Sequence, residues 1–168
     1  RIIDASKFGL KNFQSIVSNF ENFLIQNYDN ANLSAKNFNI VSKKKPDKKT
    51  LNSLIFAFNM CRFVKSNAIV LVKDDTTVGI GSGQTSRLDS CKIAIQKMQE
   101  FHKKNANDKI VCASDAFFPF ADGIEKLVQA GVRAIIQPSG SIRDKEIIKY
   151  ADSTDTVLIF SKTRHFKH

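Results

Sequence analysis

The spacing of apolar residues along this chain predicts a series of helices and strands. Residues 1–22 carry apolar side chains at helical intervals, with Ser6 as a candidate cap, so we expect a helix there. A short buried strand is predicted at 23–26, a loop rich in Asn and Asp at 28–35, and a half-exposed strand at 38–42.

The region that follows gives a clearer prediction. Apolar side chains recur every three or four residues over 51–64, which is typical of an amphipathic helix. Residues 68–73 form an apolar run with high β-propensity, and residues 77–80 are its candidate partner strand. Asp74 and Asp75 suit a tight reversal between them, so the sequence predicts a β-hairpin.

A glycine-rich corner joins this hairpin to the next helix. Gly79, Gly81 and Gly83 alternate before the apolar pattern of residues 88–102. A corner of this kind at a helix N-terminus can present backbone N–H groups to an anion. The spacing matches neither the dinucleotide fingerprint nor the Walker loop. A structural turn is therefore favoured, and a phosphate site is the alternative.

The second half of the chain alternates strands and helices. Three buried strands are predicted, at 110–113, 134–137 and 157–160. One helix follows Asp122, a candidate cap, and another covers 144–152. Strands that alternate with helices, with a hairpin near the start, predict a layered α/β fold in one domain over 1–168.

Composition agrees with a folded domain and leaves the partner open. The chain has 168 residues, of which 42% are hydrophobic, enough to bury one core. Its net charge of +10 suits either a polyanion or a phosphorylated or polycarboxylate substrate. Three cysteines without CxxC spacing are expected to be buried and reduced, as in a cytoplasmic protein. No run reaches the length of a membrane span, so no membrane partner is expected.

The lysine run at 43–49 is the basis of a nucleic-acid alternative. It is either a solvated connection into a helix, with Pro46 near the first turn, or a phosphate-binding patch. The connection is favoured because no aromatic residue lies between the lysines to stack on bases. A basic nucleic-acid-binding α/β module stays as the alternative function.

Other candidate chemistry consists of polar groups at the ends of elements. The three histidines lack Cys or carboxylate partners at metal-ligand spacing, and no GxSxG motif occurs. The remaining polar groups suit the binding of a polar, anionic small molecule and do not name a reaction. They are Asn67, Arg87, Asp115, Asp122, Ser141, Arg164 and His168.

Five ordered motifs closely resemble the C-terminal half of the AICAR transformylase family. They are KSNAIV, VGIGSGQTSR, ASDAFFPFADGI, IQPSGSIRDKE and RHFKH. This family is the formyltransferase part of the bifunctional purine-biosynthesis enzyme that also carries IMP cyclohydrolase. The resemblance implies transfer of a formyl group from 10-formyltetrahydrofolate to the amine of AICAR, a ribonucleotide, in IMP synthesis. It also implies a cytidine-deaminase-like layered α/β unit without zinc.

The resemblance further implies a site for AICAR. Asn67 would lie against the base and Phe117 would pack on it. Arg87 and Arg164 would contact the nucleotide, and Phe166 would line the site. Of these residues, Asn67 is implied to be catalytic.

A proton-handling role is implied for a second catalytic residue, His168. The folate co-substrate would be bound by Leu88, Asp122, Ser141 and Ile142. In addition, Asp115 resembles an acid near a structural monovalent cation such as K⁺.

The chain also departs from the family. The family's catalytic Lys-His pair has no counterpart here, and Ala121 replaces a basic residue common after FFPF. The chain begins at Arg1 rather than Met. We therefore expect a C-terminal fragment that is inactive without the N-terminal unit, with residues 1–22 as a less certain extension. The family also implies a homodimer.

Overall fold

The computed structural model describes residues 14–168 without residues 32, 34 and 103–107. The chain divides into two units, which are described separately. One contains residues 1–30 together with His168, and the other contains residues 31–167. The expectation of one domain over the whole chain stays a prediction.

The smaller unit contains a β-hairpin where a helix was predicted. Strands β1 (Gln14–Asn19) and β2 (Asn22–Asn27) pair antiparallel, with Ile16 opposite Ile25. The helix predicted over 1–22 is therefore wrong from Gln14 onward, and its first thirteen residues, with Ser6, lie outside the described residues. Apolar spacing in so short a segment fits a helix or a strand, and β-branched side chains that pair across two strands favour the strand.

The strand predicted at 23–26 is confirmed as β2, but its burial is not. The side chain of Phe23 is 68% exposed, and those of Leu24 and Ile25 are about half exposed. Apolar composition alone led to the expectation of burial, and no element of the described part of this unit covers these side chains.

A six-stranded mixed sheet forms the centre of the larger unit. Its strands are β3 (Phe38–Ile40), β4 (Ile69–Lys73), β5 (Thr76–Gly81), β6 (Ile110–Ser114), β7 (Val132–Pro138) and β8 (Val157–Ser161). Their spatial order is β3-β8-β7-β6-β4-β5. Strands β6, β7 and β8 are parallel, and the other pairings are antiparallel. The predicted hairpin is confirmed as β4 and β5.

Among the described residues, four α-helices cover the two faces of this sheet. They are α1 (Lys48–Cys61), α2 (Arg87–Phe101), α3 (Asp122–Gln129) and α4 (Asp144–Ser153). Helix α1 packs on one face and the other three pack on the opposite face. The side chains of β4 alternate between the layers, with Ile69 and Leu71 toward α2 and Val70 and Val72 toward α1. The predicted α/β layering is confirmed.

The helix ends show how the sequence determines these elements. Asp47 caps α1, because its carboxylate accepts a hydrogen bond from the Thr50 backbone N–H at 2.7 Å. The Lys109 ammonium and this N–H hold the pKa of Asp47 well below its usual range. Asp122, the predicted cap of α3, is instead its first residue, after Ala121. None of the described helices is long and apolar enough to cross a membrane.

Two glycines allow α2 to lie directly on β5. A Cβ atom at Gly79 would lie 2.1 Å from the carbonyl oxygen of Ala94. A Cβ atom at Gly81 would lie 1.9 Å from the carbonyl oxygen of Ser90. These distances exclude any side chain, so the glycines fix how closely the start of α2 approaches the sheet.

The three cysteines are buried, as predicted. Cys61, Cys91 and Cys112 are free thiols in the two core layers. Burial raises the pKa of the Cys91 thiol to about 12. Burial also raises the pKa values of Cys61 and Cys112 well above the ordinary value. Because the thiolate is the reactive form, these side chains should be chemically inert in the folded state.

Thiol titration tests this burial. We expect negligible reaction with Ellman's reagent in the native protein at mildly alkaline pH, and reaction of all three thiols after denaturation in guanidinium chloride. Rapid reaction of one thiol in the native protein would contradict the described packing.

Candidate functional site

Most of the predicted site residues come from segments that meet at one edge of the sheet. Ile69 at the start of β4 lies opposite both Ser114 at the end of β6 and Gly81 at the end of β5. Pro138 and Ser161 lie opposite each other at the ends of the parallel strands β7 and β8. The carboxyl ends of parallel strands are where open α/β sheets place ligands. The flanking segments at this edge are 65–67, 82–87, 115–117, 139–142 and 162–167.

A buried ion pair lies at the centre of this edge. The side chains of Arg87 and Asp115 are 9% and 0% exposed, and Arg87 Nη1 donates to Asp115 Oδ1. Arg87 Nη1 also lies 2.8 Å from Ser114 Oγ, and Arg87 Nη2 lies 2.8 Å from Asn67 Oδ1. Buried charges are tolerated when they are paired and hydrogen-bonded. The pair therefore joins the start of α2 to the end of β6 and to the segment before β4.

Asn67 is held by several hydrogen bonds within the larger unit. Its Nδ2 donates to the carbonyl oxygens of Gln84 at 2.9 Å and Thr85 at 3.1 Å. Its backbone oxygen accepts from the Ser90 hydroxyl at 2.8 Å. The amide side chain is therefore fixed in place before any ligand arrives.

The glycine corner is organised around segment 65–67. The Gly83 N–H donates to the carbonyl oxygen of Lys65 at 2.8 Å, and the Ser82 hydroxyl donates to the same oxygen at 3.3 Å. Gly83 has a φ of 68°, a left-handed conformation that favours glycine. These contacts agree with the structural-turn interpretation, since the N–H of Gly83 already has a partner.

A second group at this edge combines aromatic rings with arginines. The Arg164 guanidinium carbon lies 5.0 Å from the centroid of the Phe117 ring, and the same atom of Arg143 lies 4.8 Å from the Phe120 centroid. A Cβ at Gly140 would lie 3.0 Å from Arg164 Nη2, so Gly140 leaves space for this arginine. Cation–π contacts of this kind hold a guanidinium in place while its N–H groups stay available to an anion.

The C-terminal segment is packed rather than free, because of His165. This side chain is 1% exposed, and its ring centroid lies 4.4 Å from that of Phe58 on α1. The His165 backbone N–H donates to the Asp115 carbonyl at 3.0 Å. Two residues further on, the Lys167 carbonyl accepts from the Ser66 N–H at 3.0 Å. The segment therefore lies beside the residue that precedes Asn67.

Sequence reasoning missed the anchoring role of His165. It considered His165 only as one of three histidines without partners at metal-ligand spacing. The sequence offers no clear signal for this role, because His165 lies between the cation Arg164 and the apolar Phe166, and of these three residues the structure buries only the histidine.

The four residues implied for folate differ in their surroundings. Leu88 is half-buried in the first turn of α2, whereas Ile142 is fully exposed. Asp122 is exposed at the start of α3, and its Oδ1 accepts from the next backbone N–H at 2.7 Å. Ser141 is half-buried, and its Oγ accepts from the Arg143 N–H at 3.2 Å. Their binding roles stay predictions.

The two remaining site residues lie in different units. Phe166 belongs to the larger unit and is 43% exposed. His168 belongs to the smaller unit, where its backbone N–H donates to Gln26 Oε1 at 3.2 Å. Their implied roles in AICAR binding and proton transfer stay predictions.

Two of the five lysine side chains in the run at 43–49 pair with acids of the larger unit. Lys44 pairs with Asp155, and Lys49 pairs with Asp74 at 2.7 Å. The Lys43 backbone N–H donates to Asp152 Oδ1 at 2.7 Å. An adjoining groove of about 400 Å³ has no aromatic lining; its residues are Lys43, Lys145, Ile148, Lys149, Asp152 and Ser153. These contacts favour the solvated connection over a nucleic-acid surface.

Comparison with known proteins gives a consistent match. The family model described as the AICARFT/IMPCHase bienzyme matches residues 1–97. That description names two enzymatic activities, and the match by itself assigns the chain to neither.

Three similar proteins carry the name bifunctional purine biosynthesis protein PurH. The one from Buchnera aphidicola of Schizaphis graminum is 46% identical over 99% of this chain and 31% of its own length. The one from Buchnera aphidicola of Acyrthosiphon pisum is 48% identical over 86% of this chain and 27% of its own length. The one from Rhodospirillum rubrum is 47% identical over 86% of this chain and 28% of its own length. The chain thus spans less than a third of these curated relatives.

The buried ion pair can be tested by stability measurements on two matched variants. Asp115→Asn should lower the free energy of unfolding by about 3 kcal/mol, because it leaves the Arg87 charge buried without a counter-ion. Asp155→Asn removes the exposed partner of Lys44 and should change the free energy of unfolding by less than about 1 kcal/mol. Urea unfolding measures both, and equal effects would contradict the central place given to the buried pair.

Proposed function

This chain belongs to the AICARFT/IMPCHase bienzyme family, and on that premise we propose that it forms part of the formyltransferase region. It would be the C-terminal unit of that region, with a cytidine-deaminase-like fold. The mixed sheet between α1 and three further helices supports this fold. The proposed reaction moves the formyl group of 10-formyltetrahydrofolate to the amine of AICAR in purine biosynthesis.

The observation that carries the proposal is the convergence of side chains at one sheet edge. Asn67, Arg87, Phe117 and Arg164 are separated by nearly a hundred residues, yet their segments meet there. This edge combines a fixed amide, an aromatic face and an exposed guanidinium. An amide can bind a carboxamide base, a ring can stack on it, and a guanidinium can pair with a nucleotide phosphate.

The proposed chemistry is a formyl transfer between two nitrogens. The amine nitrogen of AICAR attacks the formyl carbon, and a tetrahedral intermediate forms. The bond from that carbon to N10 of the folate then breaks, as the amine loses a proton and N10 gains one. The products are the formamido ribonucleotide and tetrahydrofolate.

This reaction requires catalytic groups from outside the chain. The amine of AICAR is conjugated with its ring, so it is a weak nucleophile that needs a base and an oxyanion stabiliser. We assign those duties to the Lys-His pair expected in the rest of the polypeptide. The larger size of the relatives supports this division of the site. A homodimer that covers further apolar surface is part of the same proposal.

A monovalent cation such as K⁺ near Asp115 is also proposed. Oδ2 of Asp115 is buried and has no hydrogen-bond partner within the described structure. An unsatisfied carboxylate oxygen suits a cation, so the residue fits the group. The bound ion would supply charge compensation at that oxygen, while Arg87 compensates Oδ1.

The proposed function can be tested in the full-length polypeptide by assaying both activities named by the family. Asn67→Ala should lower kcat of formyl transfer on the order of 100-fold, because it removes a fixed polar group at the reacting centre. Arg164→Ala should raise KM for AICAR on the order of 10-fold, as expected for loss of a charge-assisted hydrogen bond. Cyclisation of the formylated nucleotide should be unchanged in both variants.

A matched control for Arg164→Ala is Arg133→Ala, an exposed arginine near the start of β7, at the opposite edge of the sheet. It should leave both activities at the wild-type level. Loss of cyclisation with intact formyl transfer in the Asn67 and Arg164 variants would place the chain in the other half of the bienzyme and overturn the proposal.

A further inference from the structure

We propose that Arg87, Ser114 and Asp115 form a positioning unit that presents Asn67 to the substrate amine as a hydrogen-bond acceptor. This inference rests on the proposed formyl transfer. It assigns to Arg87 a role different from the nucleotide contact implied by the family resemblance.

The chemistry of its partners fixes the orientation of the Asn67 amide. Arginine can only donate hydrogen bonds, so the atom of Asn67 that lies 2.8 Å from Arg87 Nη2 must be the oxygen. Backbone carbonyls can only accept, so the atom facing Gln84 and Thr85 must be the nitrogen. A flipped amide would face donors with donors and acceptors with acceptors.

Ser114 in turn fixes the orientation of the Arg87 guanidinium. Its hydroxyl is fully buried and donates its single proton to the Ala116 carbonyl at 2.6 Å. Its lone pairs are then free to accept, and Arg87 Nη1 donates to it at 2.8 Å. Ser114 therefore fixes Arg87 relative to the turn that leads into Phe117.

The accessibility of Arg87 argues against a primary role in binding the nucleotide. Only 9% of its side chain is exposed, and its two terminal nitrogens donate to Asn67, Ser114 and Asp115. By contrast, Arg164 is exposed and has no carboxylate partner among the described residues. The two arginines thus have different roles. Arg87 orients Asn67, and Arg164 binds the anionic ligand.

The hydrogen-bonding positions of Asn67 that are still unused determine how its side chain can contact the substrate. Both Nδ2 protons are used by the two carbonyl oxygens, and one lone pair of Oδ1 is used by Arg87. A single lone pair on Oδ1 is left, which suits an N–H of the AICAR amine. Such a bond would turn the amine so that its lone pair faces the formyl carbon.

Enzyme kinetics on the full-length polypeptide test this coupling. Ser114→Ala should lower kcat on the order of 10-fold, because a small displacement of a positioned group slows the reaction. In the Asn67→Ala background the same change should cause no further loss, since the group that Ser114 helps to position is gone. Independent, multiplicative losses would overturn the proposal.

Two further variants separate positioning from other effects. Ser53→Ala, a buried serine in the first half of α1, is the matched control and should change kcat in neither background. Arg87→Lys should lower kcat with Asn67 present and have no effect without it. If Arg87→Lys instead raises KM for AICAR both with Asn67 present and in the Asn67→Ala background, Arg87 binds the nucleotide directly.

Calorimetric binding provides a readout that does not depend on turnover. Ser114→Ala should weaken binding of AICAR but leave unchanged the binding of the same ribonucleotide with hydrogen in place of the amine. Equal weakening for both ligands would contradict the acceptor role. If the wild-type full-length polypeptide shows no formyl transfer, the proposed function is refuted. If the wild type is active but the effects of Ser114→Ala and Asn67→Ala on kcat are independent, only this inference is refuted.

Discussion

The buried ion pair between Arg87 and Asp115 is the interaction on which the candidate site depends. It joins the first residue of α2 to the residue after β6, and through Asn67 it also holds the segment before β4. Removing charges from water costs several kcal/mol per ion, so the pair persists only because its hydrogen bonds are made. That requirement fixes the relative positions of three segments that are distant in sequence.

Close packing on both sides of the sheet makes this pairing feasible. On one side, Gly79 and Gly81 leave no side chain between β5 and the backbone of α2, so the start of α2 can lie within reach of β6. On the other side, the ring of His165 packs against Phe58 of α1 and holds the last segment at the same edge. Neither contact involves the proposed ligand-binding side chains, but each helps to position residues of the candidate site.

Much of the larger unit could be predicted from the sequence because its signals are local. Apolar periodicity over 51–64 and the Asp74–Asp75 reversal each depend on a few neighbouring residues, and both predictions are confirmed. Residues 14–19 could not be assigned in this way, because their apolar spacing fits two periods and cross-strand pairing decides between them. Site residues could be named individually, but the partners of Arg87 follow only from how distant segments converge.

The proposed function rests on the family of the chain and on the geometry of one sheet edge, where Asn67 Oδ1 has one lone pair left for a ligand. A crystal structure of the full-length polypeptide with bound AICAR tests this claim most directly. The account predicts the AICAR amine about 3 Å from Asn67 Oδ1, with Arg164 against the nucleotide and the Arg87–Asp115 pair intact. AICAR bound away from this edge, or bound directly by an Arg87 released from Asp115, would contradict it.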